Sequence, residues 1–254
     1  DDEARRSKIH PSGLVPRLPM RLCPGPDDTV LFGEYFGNVE RREVLVYVSD
    51  DAGENFEVAH VFPCGEVRHV HNVIWDEAEG HYWVMAGDYG EEPGIGRLSR
   101  DLRNFEWAVR GRQNCRVVAC IDLGDYFLYG TDTEVATNHI VRFEKATGKI
   151  EPLLEIEGSC LHACRFGSVL AFSTTVEPSP VNASQHAALW LSRDGDSWTR
   201  VYQAEKDPWS PRYFQYGSLV LPSGVSEREA VVFSGQAVAG IDGKVMTASW
   251  GFAR

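Results

Sequence analysis

The sequence predicts an all-β chain folded as a five-bladed β-propeller of four-stranded antiparallel blades, one domain over residues 1–254. Three observations carry this reading. A polar motif recurs as Ser49-Asp50-Asp51-Ala52-Gly53-Glu54-Asn55-Phe56, as Ser99-Arg100-Asp101-Leu102-Arg103-Asn104-Phe105 and as Ser192-Arg193-Asp194-Gly195-Asp196-Ser197-Trp198. Its serines lie 50 and 93 residues apart, one and two steps of a period near 46, which is in the range of propellers and solenoids. Five short apolar runs also end in a small residue followed by polar ones, at Gly33, Gly87, Gly130, Ser173 and Ser234. Finally, seven Trp, nine Tyr, 12 Phe and 24 Gly, without a long Leu-rich helical pattern, favour short strands and tight turns.

Each unit can be followed along the chain. In the first, Val30-Leu31-Phe32-Gly33 precedes Val44-Leu45-Val46-Tyr47-Val48, which runs directly into the Ser49 turn. In the second, Val73-Ile74-Trp75 crosses Asp76-Glu77-Ala78-Glu79-Gly80 to Trp83-Val84-Met85-Ala86-Gly87-Asp88. The third pairs residues 117–121 with Phe127-Leu128-Tyr129-Gly130-Thr131 across Asp122-Leu123-Gly124-Asp125, then continues to Ile140-Val141-Arg142-Phe143; its next turn lacks the motif. The fourth holds Leu170-Ala171-Phe172-Ser173-Thr174 and Leu189-Trp190-Leu191, and the fifth Val231-Val232-Phe233-Ser234-Gly235. The fifth has no evident fourth strand after Trp250, so residues near the N-terminus are expected to supply it and close the ring, leaving no open edge. A sixth blade outside this sequence and a solenoid are the rival architectures.

Composition narrows the function. A net charge of −12 argues against a nucleic-acid partner, because phosphate binding draws on clustered Lys and Arg. No apolar run approaches the ~18 residues of a membrane span, and no signal peptide is visible; a start at Asp1 without Met leaves export open. The six cysteines include no Cys-x-x-Cys pair, so a zinc knuckle is not expected, and the last four read as small apolar residues of inner strands. Asn182-Ala183-Ser184 is a glycosylation sequon of a kind common by chance. There is no Walker loop, no dinucleotide fingerprint in a strand–helix setting and no G-x-S-x-G elbow.

Ser49, Asp51, Gly53 and Phe56 fit the pattern S-x-D-x-G-x-x-[WF]; Ser192, Asp194 and Trp198 fit it with one residue fewer, and Ser99, Asp101 and Phe105 without the glycine. The chain therefore resembles the Asp-box (BNR-repeat) propellers, whose best-known members are sialidases. The resemblance implies that each box lies in the turn between the third and fourth strands, away from the substrate face, which sets Asp51, Asp101 and Asp194 aside as site residues. The family includes glycoside hydrolases, polysaccharide lyases and non-catalytic proteins, so the fold does not choose a function. Arg17-Leu18-Pro19 is similar to the Arg-Ile-Pro element of sialidases, whose arginine belongs to a three-arginine carboxylate clamp; Arg116, Arg165 and Arg212 are the residues here that could complete one. Sialidases have six blades, and this chain shows five.

In a propeller the first strand of each blade lines the central channel, and its beginning meets the end of the second strand at one mouth, where loops carry functional side chains. With Trp75, Ile121, Phe166 and Leu221 in register, His71 falls opposite His162, Val117 and Gly217, and His69 falls opposite Cys115, Cys160 and Gln215. Arg68-His69-Val70-His71-Asn72 is the densest polar cluster on these strands, and residues two apart share a strand face. His71 is the expected proton shuttle, since imidazole titrates near neutrality, with His69 and His162 beside it. Glu34, Tyr35, Asp88, Tyr89 and Asp132 stand at second-strand ends, where carboxylates serve acid–base work and aromatic faces suit sugars. Tyr216 aligns one residue before the His71 position; a Tyr with a His can carry out β-elimination at a uronate, a pairing that resembles some propeller polysaccharide lyases. No cofactor is required, although a divalent metal held by His71, His162 and either His69 or His10 is compatible with His-x-His strand spacing.

The expectation is thus a carbohydrate-active enzyme cleaving a glycosidic bond in an acidic poly- or oligosaccharide, by lyase or hydrolase chemistry. The catalytic candidates are His71, Tyr216 and Asp88. Arg17, Glu34, Tyr35, His69, Tyr89, Arg116, Asp132, His162 and Arg212 are the substrate-binding ones. A non-catalytic glycan-binding propeller and a protein-interaction scaffold are the alternatives.

Overall fold

The computed structural model describes residues 8–9 and 19–248. It is all-β, with no α-helix among the described residues and therefore no helix long and apolar enough to cross a membrane. The chain divides into two compact units, residues 1–117 and 118–254.

The first unit carries β1 (Lys8–Ile9), β2 (Cys23–Pro24), β3 (Val30–Gly33), β4 (Val44–Ser49), β5 (Asn55–Phe62), β6 (Val70–Asp76), β7 (His81–Ala86), β8 (Gly94–Ser99) and β9 (Phe105–Arg110), followed by one 3₁₀ turn (Gln113–Cys115). The strands form two sheets, in the orders β1-β5-β4-β3-β2 and β6-β7-β8-β9. Neighbours from β2 to β9 within each sheet run antiparallel, as short connections dictate. Strand β1 instead adds in parallel to β5. The N-terminal segment thus extends the outer edge of the first sheet, and the expected closure of the last sheet by residues near the N-terminus is corrected for residues 8–9. Between the sheets, Leu31, Val44, Val46, Phe62, Val70, Tyr82, Val84 and Leu98 make one buried apolar cluster.

The second unit carries β10 (Val117–Asp122, whose first residue closes the first unit), β11 (Tyr126–Thr131), β12 (Asn138–Glu144), β13 (Ile150–Ile156), β14 (Ser159–Phe166), β15 (Val169–Val176), β16 (His186–Ser192), β17 (Thr199–Glu205), β18 (Gly217–Val220), β19 (Val225–Ser226), β20 (Val231–Gln236) and β21 (Val245–Ala248). Strands β10 to β13 form a four-stranded sheet in chain order. Strands β14 to β17 repeat that pattern, but the end of β15 also pairs with β18, Thr175 with Ser218 and Val176 with Gly217. This pairing joins β18, β20 and β21 to the fourth sheet as an eight-stranded whole that also includes β19. The expected fifth blade is therefore not a separate four-stranded sheet.

The recurring polar motif ends the third strand of its sheet in all three copies. Ser49 Oγ donates to Asp51 Oδ1 (2.7 Å) and accepts from Gly53 N (2.8 Å), while Asp51 Oδ1 accepts from Asn55 N (2.8 Å). Ser192 and Asp194 repeat the arrangement with Gly195, Asp196 and Ser197. The serine and aspartate thus satisfy turn N–H groups that no ladder reaches. The motif's aromatic residue then packs under the sheet, with the Phe56 ring 5.0 Å from Phe32 and that of Trp198 5.0 Å from Phe172.

The small residue ending each second strand also has a packing reason. A Cβ on Gly33 would lie 2.3 Å from Cβ of Val70 on β6, and one on Gly130 would lie 2.4 Å from Cβ of Cys160 on β14. Ser173 Oγ donates to Leu219 O on β18. At Gly33 and Gly130 the end of a second strand meets the start of the next sheet's first strand at backbone distance, leaving no room for a larger side chain.

Candidate functional site

In the first unit, antiparallel pairing of β6 with β7 sets Val70 opposite Ala86. The start of β6 therefore stands beside the residues that follow β7. Strand β6 carries one extra residue, His71, between the Val70–Ala86 and Asn72–Met85 pairs, a bulge of the kind that re-aims a side chain. The chain leaves β7 through Gly87 at φ +84°, where a Cβ would meet the Glu92 carbonyl oxygen at 2.4 Å. That tight turn delivers Asp88, whose backbone oxygen accepts from Gln113 Nε2 at 2.9 Å.

These constraints converge three buried side chains. Nε2 of His71 lies 2.9 Å from Asp88 Oδ1, Nε2 of His69 lies 3.2 Å from the same oxygen, and the two Nε2 atoms are 3.0 Å apart. His69, His71 and Asp88 are 4%, 2% and 1% exposed. The far nitrogen of each ring faces a backbone carbonyl, Nδ1 of His69 at 3.0 Å from Phe36 O and Nδ1 of His71 at 3.1 Å from Val117 O. Three side chains suited to ligating a metal, two imidazoles and a carboxylate, thus share one small volume.

Arginines surround the trio. Arg68 Nη1 lies 3.0 Å from Asp88 Oδ2, and Arg116 Nε lies 3.3 Å from Asp88 Oδ1. The guanidiniums of Arg41, Arg68 and Arg116 all lie over the Tyr89 ring, 5.9, 5.5 and 5.5 Å from its centre, where the ring quadrupole attracts cations. Glu92 pairs with Arg41 and accepts from Arg68 N at 3.1 Å. Tyr35 covers the imidazoles, its ring centre 4.1 Å from that of His69, and is 38% exposed.

Burial opposes ionisation of Asp88, but hydrogen bonds and charge from His69 and His71 outweigh it and hold the carboxyl well below its ordinary value. Burial lowers the His69 pKa, against the opposing hydrogen bond of Asp88. Asp88 is thus a fixed anion and His69 favours its neutral form.

The expected residues fare unequally. His69, His71, Asp88, Tyr35, Tyr89 and Arg116 come together in the first unit. Glu34 adjoins them through its backbone, its carbonyl accepting from Val70 N at 2.9 Å, while its carboxylate accepts from Leu45 N at 3.0 Å and lies 3.5 Å from Tyr47 Oη in its own sheet. Asp132, His162, Arg212 and Tyr216 belong to the second unit. His162 is corrected in register: the bulge of β14 falls at Leu161, between the Cys160–Thr174 and His162–Ser173 pairs, so His162 is the counterpart of Asn72 rather than of His71. One residue of offset turns a strand side chain to the other face. Arg212 is exposed with its guanidinium over Tyr213, and Arg165 donates to Gly167 O in its own hairpin. Arg17 and His10 lie outside the described residues. Sequence reasoning missed Arg41 and Gln113; both sit in irregular segments, where no strand period signals orientation.

No family model and no curated protein matches the chain. Solved structures do. The GH74 xyloglucanase of Xanthomonas campestris aligns over 87% of this chain and 35% of its own, at 15% identity and a TM-score of 0.58. An oligogalacturonate lyase in complex with manganese aligns over 89% of this chain and 63% of its own, at 10% identity and a TM-score of 0.56. The β-propeller domain of the Trilobed protease from Pyrococcus furiosus aligns over 91% of this chain and 71% of that one, at 14% identity and a TM-score of 0.51. The chain spans less than two thirds of the length of the first two, and what it shares with all three is the fold of the β-propellers.

Proposed function

We propose that the protein is a carbohydrate-active β-propeller enzyme that binds an acidic poly- or oligosaccharide at the His69–His71–Asp88 site and cleaves it by β-elimination next to a uronate. The observation that carries this reading is the set of three guanidiniums gathered over Tyr89 beside a buried imidazole–carboxylate trio. In a chain of net charge −12, such a concentration of positive charge suits an anionic group, and guanidinium matches a carboxylate in geometry. Neutralising the uronate carboxylate makes its C5 proton more acidic. The Tyr35 phenolate takes the C5 proton, the C5–H electron pair forms the C4–C5 double bond as the C4–O bond breaks, and the Tyr35 phenol returns the proton to the leaving oxygen.

Two features favour elimination over hydrolysis. A glycoside hydrolase needs a carboxyl kept protonated as its acid, whereas Asp88 is held ionised and the Glu34 carboxylate is taken up by its own sheet. The proton shuttle expected at His71 is also reassigned. Its two ring nitrogens are engaged by Val117 O and by Asp88, and it is 2% exposed. Tyr35, exposed and tilted over the His69 ring, is the phenol at this site placed to reach a substrate. Tyr216 belongs to the second unit, where burial and the nearby Glu177 and Glu134 raise its pKa and keep its proton in place.

The test is a screen on uronate-containing and neutral polysaccharides, read by ultraviolet absorbance of unsaturated products. Tyr35→Phe and Arg68→Met are expected to lower kcat/KM by about 100-fold or more at unchanged Tm. New reducing ends without absorbance would establish hydrolysis instead, and saturable binding without products would establish a glycan-binding module.

A further inference from the structure

We propose that His69, His71 and Asp88 form a binding site for one divalent first-row transition cation, with Nε2 of each imidazole and Oδ1 of Asp88 as its protein ligands. The argument is one of donors and acceptors and does not depend on the carbohydrate reading. A backbone carbonyl only accepts, so the Nδ1 atoms facing Phe36 O and Val117 O must each carry the ring proton. In the neutral rings, Nε2 is then a lone pair. Two such lone pairs and a carboxylate oxygen face one another across 2.9, 3.0 and 3.2 Å, nearly out of reach of water. Three acceptors converge there without a donor among them, and Arg116 Nε, 3.3 Å from Oδ1, is the donor that stands beside the trio.

A shared proton resolves this poorly. One imidazolium can direct a single Nε2–H at either Asp88 or the other ring, which leaves a third acceptor opposed; two imidazolium rings would press N–H against N–H at 3.0 Å. A cation accepts all three lone pairs at once. A triangle with edges near 3 Å is also a face of the coordination shell made by ligands about 2.1 Å from a metal. The second shell is already in place. Each ring donates its far N–H to a fixed carbonyl, the arrangement that orients metal-ligating histidines, while Arg68 holds Asp88 Oδ2 at 3.0 Å and leaves Oδ1 turned toward the rings. Two nitrogen ligands and one oxygen ligand favour zinc, manganese or cobalt over the all-oxygen shells of calcium and magnesium. With three protein ligands, further coordination positions stay open to water or to a ligand oxygen.

The experiment uses the full chain, treated with EDTA and dialysed, titrated calorimetrically with Zn²⁺, Mn²⁺, Mg²⁺ and Ca²⁺ in the absence of any carbohydrate. Zn²⁺ is expected to bind at one per chain, more tightly than Mn²⁺, and to raise Tm; Mg²⁺ and Ca²⁺ are expected not to compete. His69→Gln and His71→Gln, checked for folding by their metal-free thermal transitions, should each weaken Zn²⁺ binding by more than the about 10- to 100-fold lost with an outer-shell partner. His139→Gln, on β12 in the second unit, should bind as the wild type does. Absence of stoichiometric uptake of Zn²⁺ and Mn²⁺ by folded wild-type protein overturns the assignment, and so does uptake undiminished in the His69→Gln/His71→Gln variant. A slowly exchanging imidazole Nε2–H in the chelated protein, with no uptake, would identify a proton as the occupant and overturn it equally.

Discussion

Asp51 is a half-buried turn aspartate whose carboxyl sits at about 2, below its ordinary 3.8, because it accepts hydrogen bonds from the backbone and side chain of Asn55 and from Ser49. A carboxyl depressed in the folded state stabilises the fold wherever it is ionised. Its contribution is full above about 3.8 and is lost as pH falls through about 2. The stability gap between wild type and Asp51→Asn, from urea unfolding, should hold constant near neutrality and close between pH 4 and pH 2; a gap independent of pH would show that the charge is irrelevant to the turn. The same residue illustrates what a short motif reveals. Ser and Asp at fixed spacing before an aromatic residue specify a capped turn from local chemistry alone. Arg41 and Gln113 carry no such local signature, because their roles exist only once Tyr89 and Asp88 are beside them.

At the scale of elements, the small residues ending second strands were legible as landmarks, and the fold supplies their cause in the close approach of the following sheet. Gly33→Ala would drive a Cβ to 2.3 Å from Val70 Cβ and should cost ~1–3 kcal/mol, as overpacking does, measured as a lowered urea midpoint at unchanged m. Because Val70 lies between His69 and His71, the same change should weaken the site, seen as loss of Zn²⁺ affinity larger than that caused by an equally destabilising substitution in β12. The expected strands of the third and fourth units occur at their read positions. Strand bulges did not show in the sequence, and they decide which side chain faces which way: the extra residue is His71 in β6 but Leu161 in β14. Aligning the two strands by apolar landmarks therefore equated His71 with His162 one residue out of step.

For the molecule as a whole, a repeat running through both units leads us to propose one domain over residues 1–254. One cooperative calorimetric transition, with equal calorimetric and van't Hoff enthalpies, is the expected outcome; two resolved transitions would make residues 1–117 and 118–254 independent domains. Periodicity, turn chemistry and aromatic content determined by themselves that the chain is all-β, built on a recurring antiparallel four-strand unit and propeller-like in fold. These are consequences of local preference and alternation, which a sequence carries residue by residue. The meeting of His69, His71 and Asp88, the arginines over Tyr89 and the joining of β15 to β18 were decided only by tertiary structure. They depend on a bulge, a tight glycine turn and a long-range strand pairing, each of which moves side chains by a single residue's register without altering the hydrophobic pattern that announces the strands.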